Sequence, residues 1–118
     1  MIKRVTVDYV KDILDATDAA IQFVQNMTFA EFEKDRKTIF ASTRAIQIIG
    51  EAAKKIPASV KDKYPDILWK AMMGMRDKVT HEYFGVKLNV LWETIQQDLP
   101  KIRVMMPPVL EDLKEGEL

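Results

Sequence analysis

Apolar residues recur at intervals of three and four along most of this chain, which is the spacing of one face of an α-helix. The first such stretch runs from Thr6 to about Gln25. Thr28 to Glu31 has the pattern of a capping box, in which the threonine and the glutamate satisfy each other's backbone amides. We therefore expect a second helical stretch to begin there, with a bend near Asp35.

The second stretch carries two apolar faces, and one has smaller side chains than the other. The two faces consist of Ile39, Ile46, Ile49 and Ala53, and of Ala41, Ala45, Ile48 and Ala52. This pattern predicts a helix that packs against two neighbours.

A break at Pro57 and in the 59–66 stretch separates this helix from a third one, for which Pro65 suits the first position. The spacing predicts the third helix from about Asp66 through Lys78, and the tract HEYFG ends it near Gly85.

Beyond it, Asn89 can cap a fourth helix, and Pro100 predicts a kink or a break into a fifth helix that reaches Met106. Pro107 and Pro108 should interrupt the apolar face again, and we expect the acidic tail to fray from about residue 111. The chain has no window of alternating apolar and polar residues typical of strands. The pattern predicts an all-α, antiparallel four- to five-helix bundle, with residues 1–118 in a single domain.

The amino-acid composition limits the kinds of site and partner that this chain can have. The 118 residues include no cysteine, and 18 basic residues balance 18 acidic ones. Disulfides and thiolate metal sites are therefore excluded, and any contact with nucleic acid must be local. Charges interrupt the apolar residues of the N-terminus, which fits neither a secretory signal nor a membrane span. We expect a cytoplasmic protein that does not contact the membrane.

The sequence does not match the patterns of several well-known binding and catalytic sites. The glycines form no phosphate-binding loop, and the Glu-x-x-His pairs of di-iron bundles are missing. A serine triad would need His81 beside Ser42 or Ser59, and neither serine lies in a nucleophile elbow. We expect no metal and no cofactor.

The segment RDKVTHEYF differs, because Arg76, the single histidine His81 and Tyr83 fall together where a helix ends. Arginine suits a phosphate and histidine exchanges a proton near neutral pH, so the set suits phosphodiester chemistry. On an ideal helix, however, His81 lies about 140° round from Arg76. Either the last turn departs from ideal geometry or two copies converge across a twofold axis, and we favour both. A dimer would also account for the face of small residues on the second stretch.

Ordinary structural roles compete with these assignments. A histidine at the end of a helix stabilises the helix dipole, and Gly74 could serve tight packing as well as the approach of a ligand. Lys78 could contact phosphate, although neighbouring acidic residues offset its charge. A second basic region could follow an RNA path or simply end a helix favourably, and it consists of Lys54, Lys55, Lys61 and Lys63.

Residues 76–83 match the pattern R-x4-H-x-Y, and three longer stretches extend the likeness. These are IIGEAAKKIP at 48–57, WKAMMGMRDKVTHEYFGV at 69–86 and LWETIQQDLPKI at 91–102. From about Val7 to Ile102 the chain resembles the HepT-like toxins of the HEPN (higher eukaryotes and prokaryotes nucleotide-binding) superfamily.

The resemblance implies a homodimeric helical bundle that cleaves RNA without metal in a cleft shared by two subunits. His81 would be the acid/base and Arg76 the cation that stabilises phosphate. Tyr83 would be the target of AMPylation by a nucleotidyltransferase antitoxin of the MNT type, as in type VII toxin–antitoxin pairs. Glu51 and Lys78 would be supporting residues of the cleft.

Two alternatives remain open at this point. The chain could be a non-catalytic HEPN module that binds a nucleotidyltransferase and helps position its substrate, or a bundle that binds a small ligand or nucleotide.

Overall fold

The computed structural model describes residues 4–80 and 87–116. The described chain is all-α, with seven α-helices and one π-helical turn and without a strand, which confirms the predicted fold class. The helices are α1 (Thr6–Phe23), α2 (Phe29–Glu33), α3 (Arg36–Lys55), α4 (Ala58–Lys61), α5 (Trp69–Thr80), α6 (Leu88–Glu93) and α7 (Leu99–Gly116), and the π turn spans Thr94–Asp98. None of the helices described is both long and apolar enough to cross a membrane.

The centre of the bundle is α3, which packs against α1 on one side and α5 on the other, while α7 covers the far side of α1. The prediction that this helix serves two neighbours is confirmed. Ala45 and Ala52 are each only 4% exposed within the single chain. The face of small residues is thus largely used inside the subunit, and it no longer argues for a dimer.

The boundary between α2 and α3 follows the predicted signals. Glu31 donates its amide to Thr28 Oγ1 at 3.1 Å and accepts the Thr28 amide at 2.8 Å, so the capping box is confirmed. The bend near Asp35 is a complete break, since Asp35 caps α3 by accepting the Thr38 amide at 3.0 Å. That bond holds the pKa of Asp35 below its ordinary value.

The starts of two later helices were predicted wrongly. α5 begins at Trp69 rather than near Asp66, because the carbonyl of Tyr64 accepts both the Ile67 amide and the Trp69 indole N–H at 3.1 Å, which holds the chain in a turn. α6 begins at Leu88, so its N-cap is Lys87 and not Asn89.

The prolines interrupt the C-terminal helix less than predicted. Before Pro100, which cannot donate a backbone hydrogen bond, the Leu99 amide reaches back five residues to the carbonyl of Thr94 and forms the π turn. Pro107 and Pro108 do not interrupt α7, because both are exposed and water can reach the carbonyls they leave unpaired. Fraying of the tail from about residue 111 stays a prediction, and α7 is helical up to Gly116.

The reason lies in contacts near the end of α7. Val109 is fully buried, and Leu110 and Leu113 pack against the core. Tyr64 donates a hydrogen bond to Asp112 Oδ2 at 2.5 Å and so joins α7 to the loop before α5.

Candidate active site around Arg76

Arg76 lies on α5 at the seam with α3. The helix is anchored by Met72, Met75 and Val79, which are at most 2% exposed, whereas Arg76 itself is exposed. A guanidinium in this position can reach a phosphate group from solvent while the stem of the side chain stays close to α3.

Gly50 allows this arrangement. A Cβ atom built on Gly50 would lie 3.3 Å from the carbonyl oxygen of Met72 and 3.7 Å from Arg76 Cβ. Because Gly50 has no side chain, the backbone of α5 can lie close against α3 at the level of Arg76. The role of Gly50 was not predicted from the sequence, although a glycine inside a helix costs about 1 kcal/mol relative to alanine and is a signal that can be read from sequence.

Gly74, by contrast, has no packing role among the described residues, because a Cβ built on it meets no atom of theirs within 4 Å. The approach of a ligand to Gly74 stays a prediction.

His81 and Tyr83 lie outside the described residues, as does Gly85, where the third helix was expected to end. The chain on either side of them is described. The Lys87 amide donates to the carbonyl oxygen of Val79 at 3.0 Å, so the chain returns to the last turn of α5 after residue 86. Whether His81 meets Arg76 therefore stays a prediction.

Glu51 lines a groove of about 240 Å³ between α1 and α3, about 100° round α3 from Gly50, which contacts Arg76. Glu51 Oε2 lies 3.9 Å from Arg44 Nη1, and Arg4 pairs with Asp12 at 2.9 Å in the same groove. Arg76 is not among the described residues that line it. A supporting role for Glu51 beside Arg76 within one subunit gains no support from this placement.

The other basic residues are spread over several surfaces. Lys78 is exposed in the last turn of α5. In the second basic region, Lys61 Nζ lies 3.1 Å from Met73 Sδ, which fastens α4 to α5 and favours a structural role for that lysine. No three carboxylate or imidazole side chains in residues 4–80 and 87–116 converge so that they could hold a metal ion.

Comparisons with known proteins identify the family. The model of the HepT-like ribonucleases matches residues 13–109. A protein of Thermococcus cleftensis named "Probable ribonuclease HepT" is 45% identical over 101 residues, which is 86% of this chain and 92% of the relative. "Putative RNase MJ1216" of Methanocaldococcus jannaschii is 39% identical over 114 residues, which is 97% of this chain and 94% of that protein. No solved structure matches the chain.

The fold and the candidate site together define a class of protein, namely an all-α bundle in which an exposed arginine lies where two helices meet. Within that class, this chain belongs to the HepT-like ribonuclease family.

Proposed function

We propose that this chain is the toxin of a type VII toxin–antitoxin pair, a metal-independent endoribonuclease that acts as a cytoplasmic homodimer and is silenced by AMPylation of Tyr83. The observation that carries the proposal is the position of Arg76. It is exposed near the end of α5, five residues before the single histidine, in a family whose relatives carry ribonuclease names.

The reaction follows from the chemistry of RNA. A neutral His81 takes the proton of the 2′-hydroxyl, and the 2′-oxygen forms a bond to phosphorus while the bond from phosphorus to the 5′-oxygen breaks. A second, protonated His81 from the other subunit gives its proton to the leaving 5′-oxygen. Arg76 stabilises the negative charge that develops on the phosphoryl oxygens, and Lys78 adds positive charge nearby.

Silencing by a nucleotidyltransferase of the MNT type fits the same chemistry. Transfer of AMP from ATP to the Tyr83 hydroxyl releases pyrophosphate and leaves a negative phosphodiester seven residues from Arg76 in the sequence. That group competes with the RNA phosphate for the arginine and adds bulk to the site.

The test is cleavage of RNA in excess EDTA by the wild-type protein and by His81→Ala, prepared together and compared by circular dichroism. We expect cleavage by the wild type alone. Equal behaviour of the two preparations would refute the ribonuclease assignment and favour a non-catalytic module that binds a nucleotidyltransferase.

A second assay tests the modification separately. Incubation with an MNT-type nucleotidyltransferase and labelled ATP should label the wild type but not Tyr83→Phe, which lacks the acceptor oxygen. Equal labelling of both proteins would exclude Tyr83 as the acceptor.

A further inference from the structure

One exposed side of α3 points away from α5 and borders the groove that α3 forms with α1. It is formed by residues spaced three or four apart, here called the α3 ridge, namely Phe40, Arg44, Gln47, Glu51 and Lys55. Phe40 is 62% exposed, an unusual position for so large an apolar side chain, and in the chain it meets the Arg36 guanidinium 5.5 Å from its ring. The ridge thus presents an aromatic ring among charges.

The chemistry of the ridge is complementary to itself. Its midpoint falls between Gln47 and Ile48, with Arg44 and Glu51 at equal distances on either side. Phe40 and Lys55 are also equidistant from that point. A second α3 laid antiparallel on this point would set Arg44 against Glu51 of the partner subunit, and Phe40 against Lys55 of the partner subunit. Parallel pairing would instead set like charges against each other.

Neither member of the charged pair is fully engaged within its own subunit. Arg44 Nη1 donates a long hydrogen bond to Gln47 Oε1 at 3.4 Å and lies 3.9 Å from Glu51 Oε2, at the outer limit of an ion pair. The Arg44 and Glu51 side chains are 62% and 51% exposed. An exposed pair of this kind contributes little to the stability of a monomer. Both groups can therefore take a partner across an interface, where they set orientation, while burial of Phe40 favours association.

We propose that the α3 ridge is the surface by which a second copy of this chain binds, with the two α3 helices antiparallel. The inference rests on the proposed function, because it concerns the dimer that brings two copies of the site together. It also has a geometric consequence for Arg76.

The twofold axis of this dimer determines how far apart the two Arg76 residues lie. A twofold axis that passes between the two α3 helices, level with the point between Gln47 and Ile48, makes the helices antiparallel and keeps α5 of both subunits on the same side of the dimer. Arg76 packs at Gly50, which lies about 4 Å along the helix from the axis at 1.5 Å per residue. The two Arg76 residues would then lie about 8 Å apart along the direction of α3, on one side of the dimer.

Charge reversal tests the pairing by sedimentation. Arg44→Glu and Glu51→Arg each create two like-charge contacts across the axis, so we expect each to weaken the dimer by about tenfold or more. The double variant Arg44→Glu/Glu51→Arg exchanges the charges and should regain the dimer. Phe40→Ser should also give monomers, since it removes the buried ring. Lys101→Glu, exposed on α7, is the matched control and should leave the dimer unchanged.

The outcomes separate this inference from the proposed function. A wild-type monomer at micromolar concentration, or single reversals that dimerise as tightly as the wild type, would overturn the ridge interface. If such a protein still cleaves RNA in a His81-dependent manner, the ribonuclease assignment stands alone. A dimer that depends on the ridge but shows no His81-dependent cleavage would support the interface and refute the ribonuclease.

Discussion

The amide of Lys87 donates a hydrogen bond to the carbonyl oxygen of Val79 at 3.0 Å, and Val79 is fully buried in the last turn of α5. The bond joins the two ends of the segment that contains His81 and Tyr83. Both ends are therefore fixed to the helix that carries Arg76. The packing of α5 in the core therefore fixes the two points between which the segment with His81 and Tyr83 runs.

Arg76→Ala should lower the rate of RNA cleavage by about 10²- to 10³-fold, the loss typical of removing one group that stabilises a transition-state oxyanion. Arg76→Lys should recover part of the rate, because it restores the charge without the planar fork. The melting temperature should change little, since Arg76 is exposed. Single-turnover cleavage rates with and without EDTA measure the effect.

Lys70→Ala provides the control for this variant, since Lys70 is exposed on the first turn of the same helix. It should cleave at the rate of the wild type. A comparable loss in Lys70→Ala would show that general charge on α5 matters and that Arg76 has no special part. No loss in Arg76→Ala would refute the catalytic role of Arg76.

The elements that could be predicted from sequence are those whose signals are local. The capping box at Thr28 and the amphipathic face of α1 each depend on residues within a few turns of one another, and both were found correctly. The start of α5 could not be found in this way. It depends on a carbonyl of Tyr64 that is shared by two donors, one of which is the indole of a residue five positions later.

The same limit applies to the site. The role of Arg76 was predicted from its residue type and its spacing to His81 and stays a prediction, whereas the close packing at Gly50 depends on contact between two helices that are far apart in sequence. The small alanines of α3 were assigned to a second subunit because sequence periodicity does not distinguish a neighbouring helix of the same chain from one of another chain. The continuity of α7 through Pro107 and Pro108 could not be predicted either. It depends on the exposure of both prolines and on the hydrogen bond from Tyr64, which lies far away in the sequence.

Gly50→Ala should destabilise the protein by about 1 kcal/mol, although alanine is the better helix former, because the new Cβ presses on the backbone carbonyl of Met72. Gly74→Ala should instead stabilise it by about 0.5–1 kcal/mol, since its Cβ would enter open space among the described residues. Urea unfolding of the two variants beside the wild type measures both effects.

The two glycines serve as controls for each other, because both lie inside long helices. Stabilisation of similar size in both variants would mean that α5 moves away from α3 without penalty. Close packing at Gly50 would then be unnecessary for placing Arg76.

The hydrogen bond from Tyr64 to Asp112, together with burial, raises the pKa of Tyr64 to about 12. The ordinary value is near 10, so the folded state favours the neutral phenol, which donates the bond. The stabilisation is therefore complete below about pH 10 and is lost as the pH rises towards 12. Because the bond is exposed to solvent, we expect it to contribute only about 0.5–1 kcal/mol.

Unfolding by urea at pH 8 and at pH 11 should show this loss in the wild type relative to Tyr64→Phe, which cannot donate the bond. The difference in stability between the two proteins should be positive at pH 8 and smaller at pH 11. A difference that stays constant between these values would mean that Tyr64 stabilises α7 by packing alone.

Two buried threonines give opposite predictions for the same substitution. Thr17 on α1 is fully buried, and its Oγ1 has no hydrogen-bond partner in residues 4–80 and 87–116. Thr94 in the π turn is 2% exposed, and its Oγ1 donates to the carbonyl of Val90 at 2.8 Å.

A buried hydroxyl without a hydrogen-bond partner costs about 1–3 kcal/mol of stability, whereas a hydrogen-bonded one contributes about 1 kcal/mol. Thr17→Val should therefore raise the free energy of unfolding by about 1 kcal/mol, and Thr94→Val should lower it by a similar amount. If Thr17→Val proves as destabilising as Thr94→Val, the Thr17 hydroxyl must bond to an ordered water or to a group outside these residues, and the surroundings of Thr17 are more polar than the described side chains indicate.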